Sequence, residues 1–163
     1  MTEDPRERFR TLPEPAQTGI AGSSMGGLIS LYAFFSCPET FGFTAVMSPS
    51  LWLADEAIFP FVEAAPYVPG RIYVDIGQLE GARHVANARR LRDLLERKGY
   101  RDGVDLRCVE DESGHHTESA WARRFGAALP FLLGAQGDRR AQLRNERDRL
   151  RLGRRASDRR QPE

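Results

Sequence analysis

The first apolar signal along the chain is short. Thr18-Gly19-Ile20-Ala21-Gly22 is an apolar run broken by glycines, consistent with a buried strand. After the turn at Ser23-Ser24, the stretch from Met25 to Ser36 is apolar nearly all round, with Leu28, Ile29, Leu31, Tyr32, Phe34 and Phe35. A pattern without a polar face predicts a buried helix, and Pro38 stops it. Phe43 to Met47 reads as a second strand that ends at the turn Ser48-Pro49-Ser50. Leu53 to Ala65 predicts a helical stretch with a break at Pro60. Arg71 to Ile76 is a third strand, ending at Gly77. Over 83–98, Val85, Ala88, Leu91, Leu94 and Leu95 recur at helical spacing, and Gly99 closes that helix. Val104 to Val109 alternates as a fourth strand, and Glu118 to Leu133 is a final amphipathic helix.

Strand and helix thus alternate four times, which implies an α/β fold: a parallel sheet of about four strands covered by helices. The expected organisation has three parts. Residues 1–16, punctuated by Pro5, Pro13 and Pro15, form a loop-like stub; 17–133 form the core; 134–163 form a tail. That tail is Arg-rich and poor in apolar residues, so a solvated helix or disorder is expected there.

Charge sharpens this division. The whole chain of 163 residues carries a formal +1, yet Gly134 to Glu163 holds ten Arg against five acidic residues, a net of +5. The body is left at about −4, which speaks against a nucleic-acid-binding domain. Asp and Glu interleave with the tail's Arg residues, so a solvated face is expected there rather than a nucleic-acid or membrane contact. No run of apolar residues reaches the ~18 needed to span a bilayer. The opening MTEDPRERFR lacks the apolar stretch of a secretory leader, and Cys37 and Cys108 form no CxxC pair. A cytoplasmic protein without metal or organic cofactor is expected; Ser23-Ser24-Met25-Gly26-Gly27 also lacks the Lys of a phosphate-cradling loop.

Candidate chemistry begins at Gly22-Ser23-Ser24-Met25-Gly26. A G-x-S-x-G sequence between a strand and a helix predicts a sharp turn that holds the serine strained, with its Oγ exposed. Glycines two residues either side of Ser24 are expected to avoid collisions in that turn. The backbone N–H of Met25, at the helix N-terminus, would face a developing oxyanion. A serine hydroxyl needs a base held by a third group. His115 and His116 follow the last strand, where such a fold places its base, whereas His84 opens an amphipathic helix and reads as a surface residue. The acid belongs after the third strand. Glu80 lies past the strand end and is favoured over Asp75, whose side chain the strand commits to one sheet face. Trp52 and Trp121 are candidates to flank a substrate pocket, or core aromatics.

These segments resemble the putative-esterase family of the α/β-hydrolases, which includes siderophore trilactone esterases and relatives of esterase D. The resemblance rests on Gly22-Ser23-Ser24-Met25-Gly26-Gly27-Leu28, Ser48-Pro49-Ser50-Leu51-Trp52, Gly77-Gln78-Leu79-Glu80 and His116-Thr117-Glu118-Ser119-Ala120-Trp121. The last segment selects His116 over His115 as the base. What the resemblance implies is a Ser24–His116–Glu80 ester hydrolase acting on a small-molecule ester through an acyl-enzyme. It also implies a departure. The family carries further strands, and a second oxyanion donor, before the nucleophile strand, so this chain resembles a C-terminal half. An exposed sheet edge and self-association are therefore expected. The alternative is a non-catalytic binding module that needs a separately encoded N-terminal half.

Overall fold

In a computed structural model, residues 11–134 are described. The chain divides into two units at Leu133. The Arg-rich tail and residues 1–10 lie outside the described residues.

Four parallel strands form one sheet in the order β1-β2-β3-β4: β1 Gly19–Ser23, β2 Phe43–Met47, β3 Arg71–Gly77 and β4 Leu106–Asp111. The main helices are α1 Met25–Ser36, α2 Ile58–Ala64, α3 Ala82–Arg97 and α4 Glu118–Leu133. β2 is buried from Thr44 onward, as expected of a parallel strand covered on both faces. Alternation then sorts its side chains. Val46, with Ile72 and Val74 of β3, packs against Leu31 and Phe34 of α1, Val62 of α2 and Leu91 of α3. Ala45 and Met47, with Tyr73, pack against Ala128 and Leu132 of α4. Three helices therefore cover one face and α4 covers the other.

β1, expected to be buried, is the least covered strand and has no buried residue, and α1, also expected to be buried, exposes Met25, Ile29 and Tyr32. β1 pairs with β2, from Gly19 beside Phe43 to Ser23 beside Met47, and no described strand pairs with its outer edge.

Two elements differ from the sequence expectation, the Leu53 to Ala65 stretch and β4, which runs to Asp111 rather than Val109. The break in the Leu53 to Ala65 stretch is not at Pro60. Leu53–Glu56 forms a separate turn in which Ala54, Asp55 and Glu56 have φ of 50°, 53° and 64°. Three L-residues in the left-handed region prevent a continuous right-handed helix. Pro60 instead sits in the first turn of α2, where its missing N–H removes no intrahelical bond. β4 starts at Leu106, not Val104, because local turn bonding captures the preceding residues. The Arg101 carbonyl accepts from the N–H groups of Val104, Asp105 and Leu106, and Gly103 takes a φ of 72°.

Candidate active site

Ser24 stands between β1 and α1 with φ 57° and ψ −119°, a region an L-residue enters only under constraint. The constraint is visible. Its N–H donates to the Met47 carbonyl at 3.0 Å, and its own carbonyl accepts from Leu28 and Ser50 N–H groups, each at 3.1 Å. Gly22 is required, since a Cβ there would run into the backbone of Gly26. The second glycine of the pattern has a different status: a Cβ on Gly26 meets nothing, whereas one on Gly27 would strike the Met47 backbone. Close packing of α1 on β2 at Gly27 thus accounts for a glycine that the motif does not include.

Oγ of Ser24 lies 2.9 Å from Nε2 of His116. Nδ1 of the same ring lies 2.8 Å from Oε2 of Glu80. With Nδ1–H donating to the carboxylate, Nε2 is left as the acceptor for the serine hydroxyl. The His116 ring is half exposed, but the Glu80 side chain is only 1% exposed. Its other oxygen, Oε1, accepts from the Ser48 hydroxyl at 2.6 Å and from the Gly77 N–H at 2.8 Å. Both carboxylate oxygens are thereby engaged, and the imidazole has one fixed partner.

The loops bearing Glu80 and His116 touch through glycine. Leu79 N–H donates to the Gly114 carbonyl at 3.1 Å, and a Cβ on Gly77 would overlap that carbonyl. Thr117 precedes α4 and caps it, its Oγ1 accepting from Ala120 N–H at 3.4 Å. The Trp121 ring meets the His116 ring edge-on, with centroids 4.9 Å apart. Trp52 is exposed and lies just before the Leu53–Glu56 turn. His115 is exposed and His84 half-buried. Met25 opens α1, so its N–H belongs to the first turn, whose donors lack intrahelical acceptors.

Three further residues belong to the site and were not singled out from the sequence. Ser50 Oγ lies 3.2 Å from Ser24 Oγ. Ser48, itself at φ 39°, links Glu80 to Arg124, whose Nη2 donates to its hydroxyl at 2.6 Å. Arg124 is 5% exposed and also pairs with Asp75 and Glu80, at 3.1 and 3.4 Å. Asp75 thus points to the α4 face, where its Oδ1 takes Arg124 and the Ser48 N–H. A signal for Arg124 existed: with Ala120, Ala128 and Leu132 it forms the buried stripe of α4, the one charge in that stripe. Burial pushes the Asp75 carboxyl above its usual range, with Arg124 opposing. Burial alone would lower the Arg124 pKa, but Asp75 and Glu80 hold it above the ordinary value. The guanidinium therefore stays charged beneath the two carboxylates.

Among the described residues no group of three or more His, Cys, Asp or Glu side chains could hold a metal ion. No described helix is long and apolar enough to cross a membrane. Burial raises the Cys108 thiol to about 12, and both cysteines are free.

A serine on a strand-to-helix turn, a histidine after the last strand and a parallel sheet covered by helices define the α/β-hydrolase class. Residues 6–132 match the Putative esterase family, and the chain belongs to it. It is 29% identical over 136 residues to the protein YbbA of Bacillus subtilis, covering 78% of this chain and 54% of that one. It is also 29% identical over 142 residues to the iron(III) salmochelin esterase of Escherichia coli, covering 78% of this chain and 32% of that protein. Among solved structures, the enterobactin esterase of Shigella flexneri with 2,3-dihydroxy-N-benzoyl-serine aligns with a TM-score of 0.68 at 21% identity, covering 78% of this chain and 34% of that one. The S-formylglutathione hydrolase of Staphylococcus aureus aligns with a TM-score of 0.62 at 15% identity, covering 79% and 56%. The chain thus spans about half the length of one curated relative and a third of the other.

Proposed function

We propose that this chain carries the catalytic serine, base and acid of a carboxylic ester hydrolase acting on a small-molecule ester. The observation behind the reading is the hydrogen-bonded chain from Ser24 Oγ through His116 to Glu80, at 2.9 and 2.8 Å, at a serine with positive φ. Ser24 Oγ attacks the ester carbonyl while His116 Nε2 takes its proton. The tetrahedral oxyanion draws on the Met25 N–H. Collapse breaks the carbonyl–alkoxy bond, and His116 returns the proton to the leaving alcohol. Water, deprotonated by the same nitrogen, then releases the acid from the acyl-serine. Glu80 holds the imidazole in its working tautomer and offsets its transient charge. A site limited to one oxyanion donor would turn over about 10²–10³ more slowly than a two-donor site.

The test is covalent labelling with a fluorophosphonate together with hydrolysis of p-nitrophenyl acetate. Both are expected in the wild type and absent in Ser24→Ala. Equal inactivity of the two proteins toward both reagents would overturn the reading.

A second reading has its own support in the unpaired outer edge of β1 and in the share of its relatives that the chain spans. On that reading the chain is a module that acts only when a separate segment completes the sheet. Labelling of Ser24 in the isolated chain would dispose of it.

A further inference from the structure

An apolar groove begins at Met25, the residue after Ser24, and has a volume of about 470 Å³. Met25, Ile29 and Tyr32 of α1 form one wall; Leu53, Ala57 and Phe61 form the other, and no lining residue is charged. Packing among the described residues leaves these side chains largely uncovered. Met25, Ile29 and Tyr32 are 64%, 55% and 46% exposed, a contiguous apolar face on a helix whose opposite side is core.

Both walls are tied to the nucleophile. Met25 follows Ser24 directly. Leu53 N–H donates to the Ser50 carbonyl at 3.1 Å, and Ser50 Oγ lies 3.2 Å from Ser24 Oγ. From Met25 the wall advances to Ile29 and Tyr32, four and seven residues on, along one face of α1. Seven residues of helix rise about 10 Å. At the far end the Tyr32 and Phe61 rings close together, with centroids 4.7 Å apart. The result is an open apolar groove about 10 Å long, with Met25 at the end next to Ser24 and the Tyr32–Phe61 ring pair at the other.

The sheet decides which half of an ester would lie there. The groove belongs to the face covered by α1 and α2, whereas the His116 ring rests on Trp121 of α4, on the other face. The leaving alcohol must take its proton from Nε2 of His116, so it departs on the α4 side. The acyl group is left for the groove.

We infer that this groove is the acyl site and that the preferred substrates are esters of unbranched apolar acids of medium chain length. The inference rests on the serine-esterase reading above. Each methylene buried along the groove should raise kcat/KM about fourfold. An apolar, uncharged lining gives an anionic or strongly polar acyl group nothing to pair with.

The experiment is a series of p-nitrophenyl acetate, butyrate, hexanoate and octanoate, each below its own aggregation limit. It is run on the wild type, Ile29→Asp, Ala57→Phe and Ser24→Ala. The readout is the octanoate-to-acetate ratio of kcat/KM within each protein, which does not depend on the active fraction. Ile29 and Ala57 are exposed, so both variants are expected to fold, and a circular dichroism melt checks this. Expected are a ratio above one hundred in the wild type and its collapse by tenfold or more in both groove variants. Ser24-dependent hydrolysis with a flat or falling ratio would overturn the acyl site while leaving the esterase reading intact. A steep ratio unchanged in both groove variants would overturn it too. No Ser24-dependent hydrolysis and no fluorophosphonate labelling would sink the esterase reading and this inference with it.

Discussion

Nη2 of Arg124 lies 3.1 Å from Oδ1 of Asp75, both side chains almost wholly out of water. The same nitrogen donates to Ser48 Oγ and reaches Glu80 Oε1 at 3.4 Å. One buried cation thus compensates two buried carboxylates, and it joins the floor of the site to α4.

Removing that cation should be severe. Arg124→Met is expected to lower stability by roughly 3–5 kcal/mol, because the carboxylates would stay buried without their partner. Arg124→Lys should recover only part of this, since an ammonium cannot span Asp75, Ser48 and Asp111 in the planar fork that the guanidinium supplies. Urea denaturation midpoints for the three proteins measure both effects.

Asp75 gives a pH dependence of defined sign. Burial raises its carboxyl above the usual range in the fold. Its contribution to stability is therefore full below the ordinary carboxylate pKa and is lost as pH rises through the raised value. Asp75→Asn lacks this loss. Its stability relative to wild type should improve steadily from about pH 4 upward, until the wild-type carboxyl has ionised. Denaturation midpoints of both proteins from pH 4 to 8 test this; a difference that stays constant or moves the other way would refute it.

Glu80→Gln keeps the shape of the acid and changes one donor. With the amide NH₂ facing Nδ1, the imidazole carries its proton on Nε2 and can no longer accept from Ser24. Under the esterase reading kcat should fall by about 10⁴. KM should move far less, since Glu80 is buried behind His116. Steady-state kinetics on a p-nitrophenyl ester separate the two parameters.

Local patterns made most of the frame legible. Apolar runs bounded by Gly and Pro mark β2 and β3, and the 3.6-residue period marks α3 and α4, because these elements bury what their patterns bury; β1 was legible as a strand but is not buried. The turn at Leu53–Glu56 was not legible. Of its left-handed residues Ala54, Asp55 and Glu56, only the Asp is of a type that favours positive φ, and Glu56 bonds to Asn87 and Arg90 thirty and more residues away. The strand-to-helix serine carries its own sequence signature. Ser48, Ser50 and Arg124 do not, since their roles depend on side chains meeting across the sheet's end. Arg124 left a trace only as a charge in the apolar stripe of α4.

Gly77 and Gly114 set how closely the loops bearing Glu80 and His116 approach. A Cβ on Gly77 would overlap the Gly114 carbonyl, and one on Gly114 would press on Gly77 and Arg124. Gly77→Ala should cost about 1–3 kcal/mol of stability through overpacking. It should also spread Glu80 from His116 and slow fluorophosphonate labelling at Ser24. A thermal melt and a labelling time course, compared with the exposed control Gly126→Ala, where an added Cβ meets nothing, would separate a local from a global effect.

The outer edge of β1 has a consequence for the isolated chain. Gly19 and Ala21 are exposed, and no described strand takes up the backbone N–H and C=O groups along that edge. The edge carries none of the Lys, Pro or inward charge that natural sheets use to block pairing. Self-association through β1 is therefore expected. Size exclusion with light scattering should show species above the monomer mass, shifting with concentration. Ala21→Lys places a charge on the strand and should return the chain toward monomer. A monodisperse monomer at all concentrations, with a cooperative melt, would show that β1's edge is satisfied from elsewhere.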